Sequence, residues 1–169
     1  MKRALAVLAL LIVFTATLAA LPSGARAAIT ITKSERAVLA AVNEERAQRG
    51  LHVLRVNTSL AKAARAHVRD MARHSYFSHT SLNGVSASSR VRSFGYGMAG
   101  CSSWKAGEVL ARATWGASVA DPQAVVAGWM RSPGHRKVLL APSFREVGAG
   151  IHSDGNWQYV ALDLGRRVR

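Results

Sequence analysis

Three ionisable residues stand in local settings that could support chemistry: His79, Glu108 and His135. His79 lies in Tyr76-Phe77-Ser78-His79-Thr80. Glu108 follows Gly107 and precedes the apolar pair Val109-Leu110, where a carboxylate is desolvated unless it is paired. His135 comes directly after Ser132-Pro133-Gly134, where a following helical turn can present it rigidly. Imidazole titrates near ~6.5 and binds divalent metals. Two imidazoles and a carboxylate can serve zinc or another divalent cation, with water completing the shell, or can hold a hydrogen-bond network with no metal. In a metal-assisted hydrolase Glu108 would be the general base, with His79 and His135 as ligands. No local motif ties the three together, so only folding can bring them to one cleft.

Other chemistries are excluded by what the sequence lacks. It has no G-x-S-x-G elbow, no H-E-x-x-H, no P-loop, and no G-x-G-x-x-G between a strand and a helix. The single cysteine, Cys101, excludes an internal disulfide framework and a multi-cysteine zinc site. Met98-Ala99-Gly100-Cys101 has the look of a lipoprotein box but lies far beyond any leader, so a buried, inert thiol is expected. His67 falls on a core stripe and reads as a packed, hydrogen-bonded histidine. His52, His74 and His152 read as surface residues. Trp104, Trp115, Trp129 and Trp157 read as core or rim residues before they read as a ligand groove.

The elements that must position these side chains are legible. Thr32 and Glu35 are spaced as a capping box, which starts a helix at Lys33; Val38, Leu39 and Val42 form its apolar stripe, and Gly50 ends it. Asn57 caps a second helix with Leu60, Ala63, Ala64, His67, Val68 and Met71 on one face and Lys62, Arg65, Arg69 and Arg73 on the other. A short helix covers Ser86–Phe94. Asp121-Pro122 starts another, with Val125, Val126, Trp129 and Met130 on its core side. A short strand is expected near Lys105–Leu110. A hairpin closes the chain, with strands Glu146–His152 and Trp157–Leu164 around Ser153-Asp154-Gly155-Asn156. Helices first and a hairpin last give an α+β layered domain, with Arg166–Arg169 as an exposed, mobile basic tail.

Composition sets the context. The 169 residues carry 23 Lys+Arg against 9 Asp+Glu, a net charge of +14, and 49% are hydrophobic, enough for an ordinary core in one domain. Lys2 and Arg3, the uncharged run Ala4–Leu21 and the small-residue site Ala25-Arg26-Ala27 have the layout of a secretory signal peptide over residues 1–27, cut between Ala27 and Ala28. A secreted, extracellular or periplasmic protein with no transmembrane span after cleavage is therefore expected. Its basic field favours anionic envelope components or lipid. Nucleic acid would have to use the basic face of the second helix, and export and the lack of interleaved aromatics count against that.

Taken in order, these segments resemble the CAP superfamily: the cysteine-rich secretory, antigen 5 and plant pathogenesis-related proteins, in an exported bacterial form. Asn43 and Arg46, then Leu54, Asn57 and Leu60, fit the start. Ala63, His67 and Asp70-Met71 fit the second helix. Phe77-Ser78-His79-Thr80, Gly95-Tyr96 and Gly107-Glu108 follow. Trp129-Met130-Arg131-Ser132-Pro133-Gly134-His135-Arg136 is the most specific stretch, and Glu146-Val147-Gly148-Ala149-Gly150 closes the set. The resemblance implies an α-β-α sandwich around a small antiparallel sheet. It places a CAP (SCP) domain at 35–165 after a linker at 28–34. It also implies a cavity at His79, Glu108 and His135, in a monomeric binding module for a small ligand or envelope component. Two positions depart from the family pattern. Val109 stands where an asparagine follows the glutamate, and Ser132 stands where several eukaryotic members have a second glutamate.

Overall fold

The structure is a computed structural model and describes residues 29–98, 100–114 and 121–168. The proposed leader and Trp115 lie outside the described residues. The elements run α1 (Lys33–Ala47), β1 (Arg55–Val56), α2 (Thr58–Arg73), α3 (Ala87–Ser93), β2 (Ser103–Thr114), α4 (Pro122–Arg131), α5 (Pro133–Leu139), β3 (Glu146–Ser153) and β4 (Trp157–Val168).

The helix starts follow the expected side chains. The Thr32 hydroxyl accepts from the Glu35 N–H, and the Glu35 carboxylate accepts from the Thr32 N–H, forming a reciprocal box. Asn57 caps α2 through the N–H groups of Ser59 and Leu60. Asp121 accepts from the Gln123 N–H, with Pro122 at the first helical position. The first helix ends at Ala47, short of Gly50, whose φ of 65° lets the chain reverse toward β1.

The sheet has the order β1-β3-β4-β2. β4 pairs antiparallel with β3 and β2. The two-residue β1 pairs parallel with β3, so the sheet is mixed and not wholly antiparallel. The expected short strand near Lys105–Leu110 extends from Ser103 to Thr114, because β4 is long enough to pair along all of it. For the same reason the tail is not free: Lys105, Trp104 and Ser103 pair with Arg166, Arg167 and Val168.

Strand alternation divides the core into two layers. Val109, Val147, Ala149, Leu162 and Leu164 face α1 and α4 with Val38, Val42, Val126 and Trp129. Leu110, Tyr159 and Ala161 face α2 with Ala64, Val68 and Met71. The result is an α-β-α sandwich. On the α2 side, β3 presents Gly148 and Gly150. A Cβ at Gly148 would sit 2.0 Å from the Ala61 nitrogen, and one at Gly150 would sit 2.4 Å from the Ala64 carbonyl carbon. The backbone of α2 therefore rests directly on the strand.

Gly148→Ala should destabilise the domain by about 3 kcal/mol or more, because the obstructing atoms are backbone and cannot rotate away. Urea melts of both proteins check this. A change within experimental error would mean that α2 does not sit on β3 as described.

Candidate functional site

The site is built around Glu108, which β2 carries on the α2 side of the sheet. Its carboxylate is buried and takes two donors. Arg90 Nη2 from α3 donates to Oε2 at 2.6 Å, and His79 Nδ1 donates to Oε1 at 2.7 Å. Arg90 also donates to the His79 carbonyl at 3.2 Å and to the Ser81 hydroxyl at 3.1 Å. One guanidinium thus ties the loop after α2 to the same carboxylate that orients the loop's histidine. The loop begins at Ser75, whose φ of 54° turns the chain out of α2. In the neutral ring, donation from Nδ1 leaves the lone pair on Nε2, and the His79 side chain is 54% exposed.

His67 supports this arrangement from beneath. It is fully buried on α2, and its Nε2–H donates to the Ser78 carbonyl at 2.8 Å while lying 4.0 Å from Glu108. Burial, and then the charge of Arg90, push its pKa down. It is the packed histidine that the sequence implies.

Asp163 of β4 lies opposite Glu108 in register. It is almost wholly buried, and among the described residues neither carboxylate oxygen has a partner of good hydrogen-bond geometry. Burial, then the neighbouring Glu108 charge, push its pKa well up, against a smaller opposing effect of Arg90. The two acids thus face each other across paired strands, and burial beside Glu108 favours the neutral form of Asp163.

His135 stands at the start of α5, in the layer opposite His79. β2 is an edge strand, so side chains from both layers can approach each other around it. Burial, and then the nearby His79, push the His135 pKa down, so the ring is neutral at neutral pH. His135 is among the residues lining a groove of about 520 Å³ whose walls include Phe77, Leu110, Val125 and Trp129; His79 and Glu108 are not in this lining. Arg112 enters the same groove, with its guanidinium 4.3 Å from the Trp157 ring centroid and 5.3 Å from that of Phe77. Trp129 is both core and lining, and its Nε1–H donates to the Leu110 carbonyl at 2.8 Å. Trp104 packs edge-on against Tyr96 at 6.1 Å.

A zinc centre requires free lone pairs, usually from three protein ligands. Glu108 is a poor source of them, since its side chain is 1% exposed and both its oxygens already accept from strong donors. Among the described residues no group of three or more His, Cys, Asp or Glu is arranged to hold a metal ion. The set His79, Glu108 and His135 does not fit zinc as three direct ligands; the two imidazoles are the donors that remain. Cys101 is half-buried rather than buried, with Sγ 2.9 Å from the Ser103 carbonyl.

Arg90 and Asp163 are the site residues that sequence reasoning missed. Asp163 had a signal: it is the one charged residue in the apolar run Tyr159–Leu164. Arg90 had none, because its short helix carries three polar serines and a second arginine.

Residues 39–164 match the profile of CAP, the cysteine-rich secretory protein family. The chain belongs to the CAP family. It is 35% identical over 128 residues to YkwD of Bacillus subtilis, which covers 75% of the chain and 46% of YkwD. It is 32% identical over 120 residues to the membrane protein YlbC of the same organism, covering 71% of the chain and 32% of YlbC. The chain thus spans less than half the length of these two relatives. An SCP-domain extracellular protein of Bacillus anthracis superposes with a TM-score of 0.67 at 26% identity, over 79% of this chain and 40% of that one. An outer surface protein of Borrelia burgdorferi superposes with a TM-score of 0.69 at 20% identity, over 83% of this chain and 97% of that one, a likeness of fold alone. The CAP fold accounts for the layers described above, and the resemblance read from the sequence is correct.

Two titrations test the electrostatics. A raised folded-state pKa at Asp163 contributes stability that is fully present below the unfolded carboxyl value of ~3.9 and is lost as pH rises through the folded value. Asp163→Asn should remove that loss, flattening the pH dependence of urea stability and raising stability at neutral pH. Lower stability at every pH would show that the ionised carboxylate is needed. By NMR, His135 should titrate below ~6.5 and move upward in His79→Ala. A value that ignores His79 would separate the two rings.

Proposed function

We propose that this CAP protein is an exported binding module. It takes a small ligand with an apolar body and a polar end, such as a lipid of the cell envelope, in the groove that His135 lines. The observation that carries this reading is the commitment of Glu108. Both its oxygens accept from Arg90 and His79 and its side chain is 1% exposed, so it orients an imidazole and has little access to a water it could activate. That favours capture over the hydrolase reading. The groove's volume lies within the range of small-molecule sites, and its walls are mainly apolar with a few polar groups. His135 and Arg112 line the groove and would meet the ligand's polar end, with the exposed His79 ring outside the lining but near enough to influence His135.

Export is supported by the signal-peptide layout of residues 1–27 and by the location that the names of the Bacillus anthracis and Borrelia neighbours give for those proteins. Among the described residues no helix is long and apolar enough to cross a membrane. The CAP domain is assigned to 35–165 and acts as a monomer. For zinc, two imidazoles without the carboxylate support only weak uptake that needs both rings.

The test uses 1-anilinonaphthalene-8-sulfonate, an aromatic probe with an anionic end, displaced by oleate. His79→Ala combined with His135→Ala should keep the fold, with a fall in melting temperature limited to the loss of one donor to Glu108, and weaken probe capture about tenfold, the contribution of one charge-assisted contact. Weak zinc uptake measured by calorimetry should vanish in the same variant. Unchanged probe and zinc binding, or a large fall in melting temperature, would overturn the assignment of these residues to a ligand site.

A further inference from the structure

We propose a second site, for a phosphate-type oxyanion, at the opposite edge of the sheet. A cavity of about 610 Å³ is lined by His52, Val53, Arg55, Arg145, Glu146 and Arg167. The parallel pairing of β1 with β3 makes this cluster: Arg55 lies opposite Glu146, and its N–H donates to the Arg145 carbonyl at 2.9 Å. Residues far apart in the chain thereby bring two arginines to the lining of one cavity, although like charges repel.

The one carboxylate in the lining does not neutralise them. Glu146 already accepts from Arg167 Nε and Nη2 at 3.0 and 2.5 Å, from the Tyr96 hydroxyl at 2.7 Å and from Asn57 Nδ2 at 3.0 Å. These donors hold its pKa down against the upward push of burial, the largest influence. Arg145 uses only Nη1 on the protein, donating to the carbonyls of Pro142 and Phe144 at 2.5 and 2.9 Å. Among the described residues its Nε and Nη2 meet no protein acceptor, and the exposed Arg55 side chain meets none.

A further positive charge lies close behind. Arg46 is fully buried in α1, and its guanidinium contacts only backbone carbonyls, those of His52, Leu139, Ala141 and Phe144. No carboxylate pairs with it among the described residues. Burial, followed by the charge of Arg145, pushes its pKa down. Two unmatched arginines at the surface and one unmatched arginine beneath form a field that a dianion would relieve. The planar fork of arginine matches phosphate oxygens in pairs. The cavity is larger than one phosphate, which suits a diphosphate or the phosphate of a larger headgroup. This site is independent of the groove at His135, and neither reading rests on the other.

The probe is inorganic pyrophosphate, titrated at low salt into the full chain and followed by NMR. Saturable shifts should centre on His52, Arg55 and Arg145. Arg145→Gln and Arg55→Gln should each weaken binding about tenfold, the contribution of one charged hydrogen bond. Lys62→Gln removes the same charge from the exposed face of α2 and should leave the affinity unchanged. A loss in Lys62→Gln equal to that in Arg145→Gln, shifts spread over the whole surface, or no binding would overturn the proposal. A second arm separates the sources of the phosphate. Sedimentation with phosphatidylcholine vesicles containing phosphatidylglycerol, if abolished by Arg55→Gln and Arg145→Gln, assigns the site to lipid headgroups. Pyrophosphate binding without vesicle binding assigns it to a soluble phosphate.

Discussion

The pairing of Arg90 with Glu108 is the interaction on which the site depends. A carboxylate buried against the α2 face of the sheet needs a cation, and α3 supplies it. The same guanidinium holds the His79 carbonyl and the Ser81 hydroxyl, so the loop cannot leave the sheet without stripping Glu108 of its partner. Removing one member of such a buried pair typically costs about 3–5 kcal/mol, mostly as the penalty of the charge left behind. The net contribution of the pair to stability is a different and smaller quantity. Its consequence here is geometric: one ring nitrogen of His79 is fixed, and the other is left available.

A second constraint acts through the glycines of β3. With no side chains at Gly148 and Gly150, α2 lies close enough for His67 to reach both Ser78 and Glu108. The neighbouring strand then places Asp163 against Glu108. Two acids and one guanidinium cannot all be charged and buried at equal cost, and burial beside Glu108 accordingly shifts Asp163 toward its protonated form. The edge position of β2 supplies the remaining condition, since an interior strand would have kept the two helical layers, and so His79 and His135, apart.

Much of this was legible in the residues. Helix starts were clear because a cap is a local device: Thr32 with Glu35, Asn57 and Asp121 each act within three positions. The hairpin was clear because its strands adjoin in sequence. What stayed hidden depends on partners far along the chain. β1 is two residues long and exists only because β3 passes beside it. The full length of β2, and the ordering of Arg166–Val168, follow from each other's pairing. The role of Glu108 was half legible. Its apolar neighbours signalled a buried carboxylate in need of a partner, but nothing near it named Arg90, which arrives from a separate helix. Hence the sequence admitted Glu108 as a metal ligand or base, whereas the fold occupies both of its oxygens.

The distribution of arginines carries the same lesson for charge. A net +14 suggests a uniformly basic protein, yet the fold assigns several of these side chains to particular acids. Arg65 is taken by Glu35, Arg90 by Glu108 and Arg167 by Glu146. The loss of Arg65 to α1 interrupts the basic face of α2, leaving Lys62, Arg69 and Arg73 as a broken row and further weakening the case for a phosphate-tracking helix. Positive charge that is unmatched and also concave gathers instead around Arg55 and Arg145, where low-dielectric walls concentrate the field. Position relative to the buried acids, more than the total, determines where this protein can attract an anion.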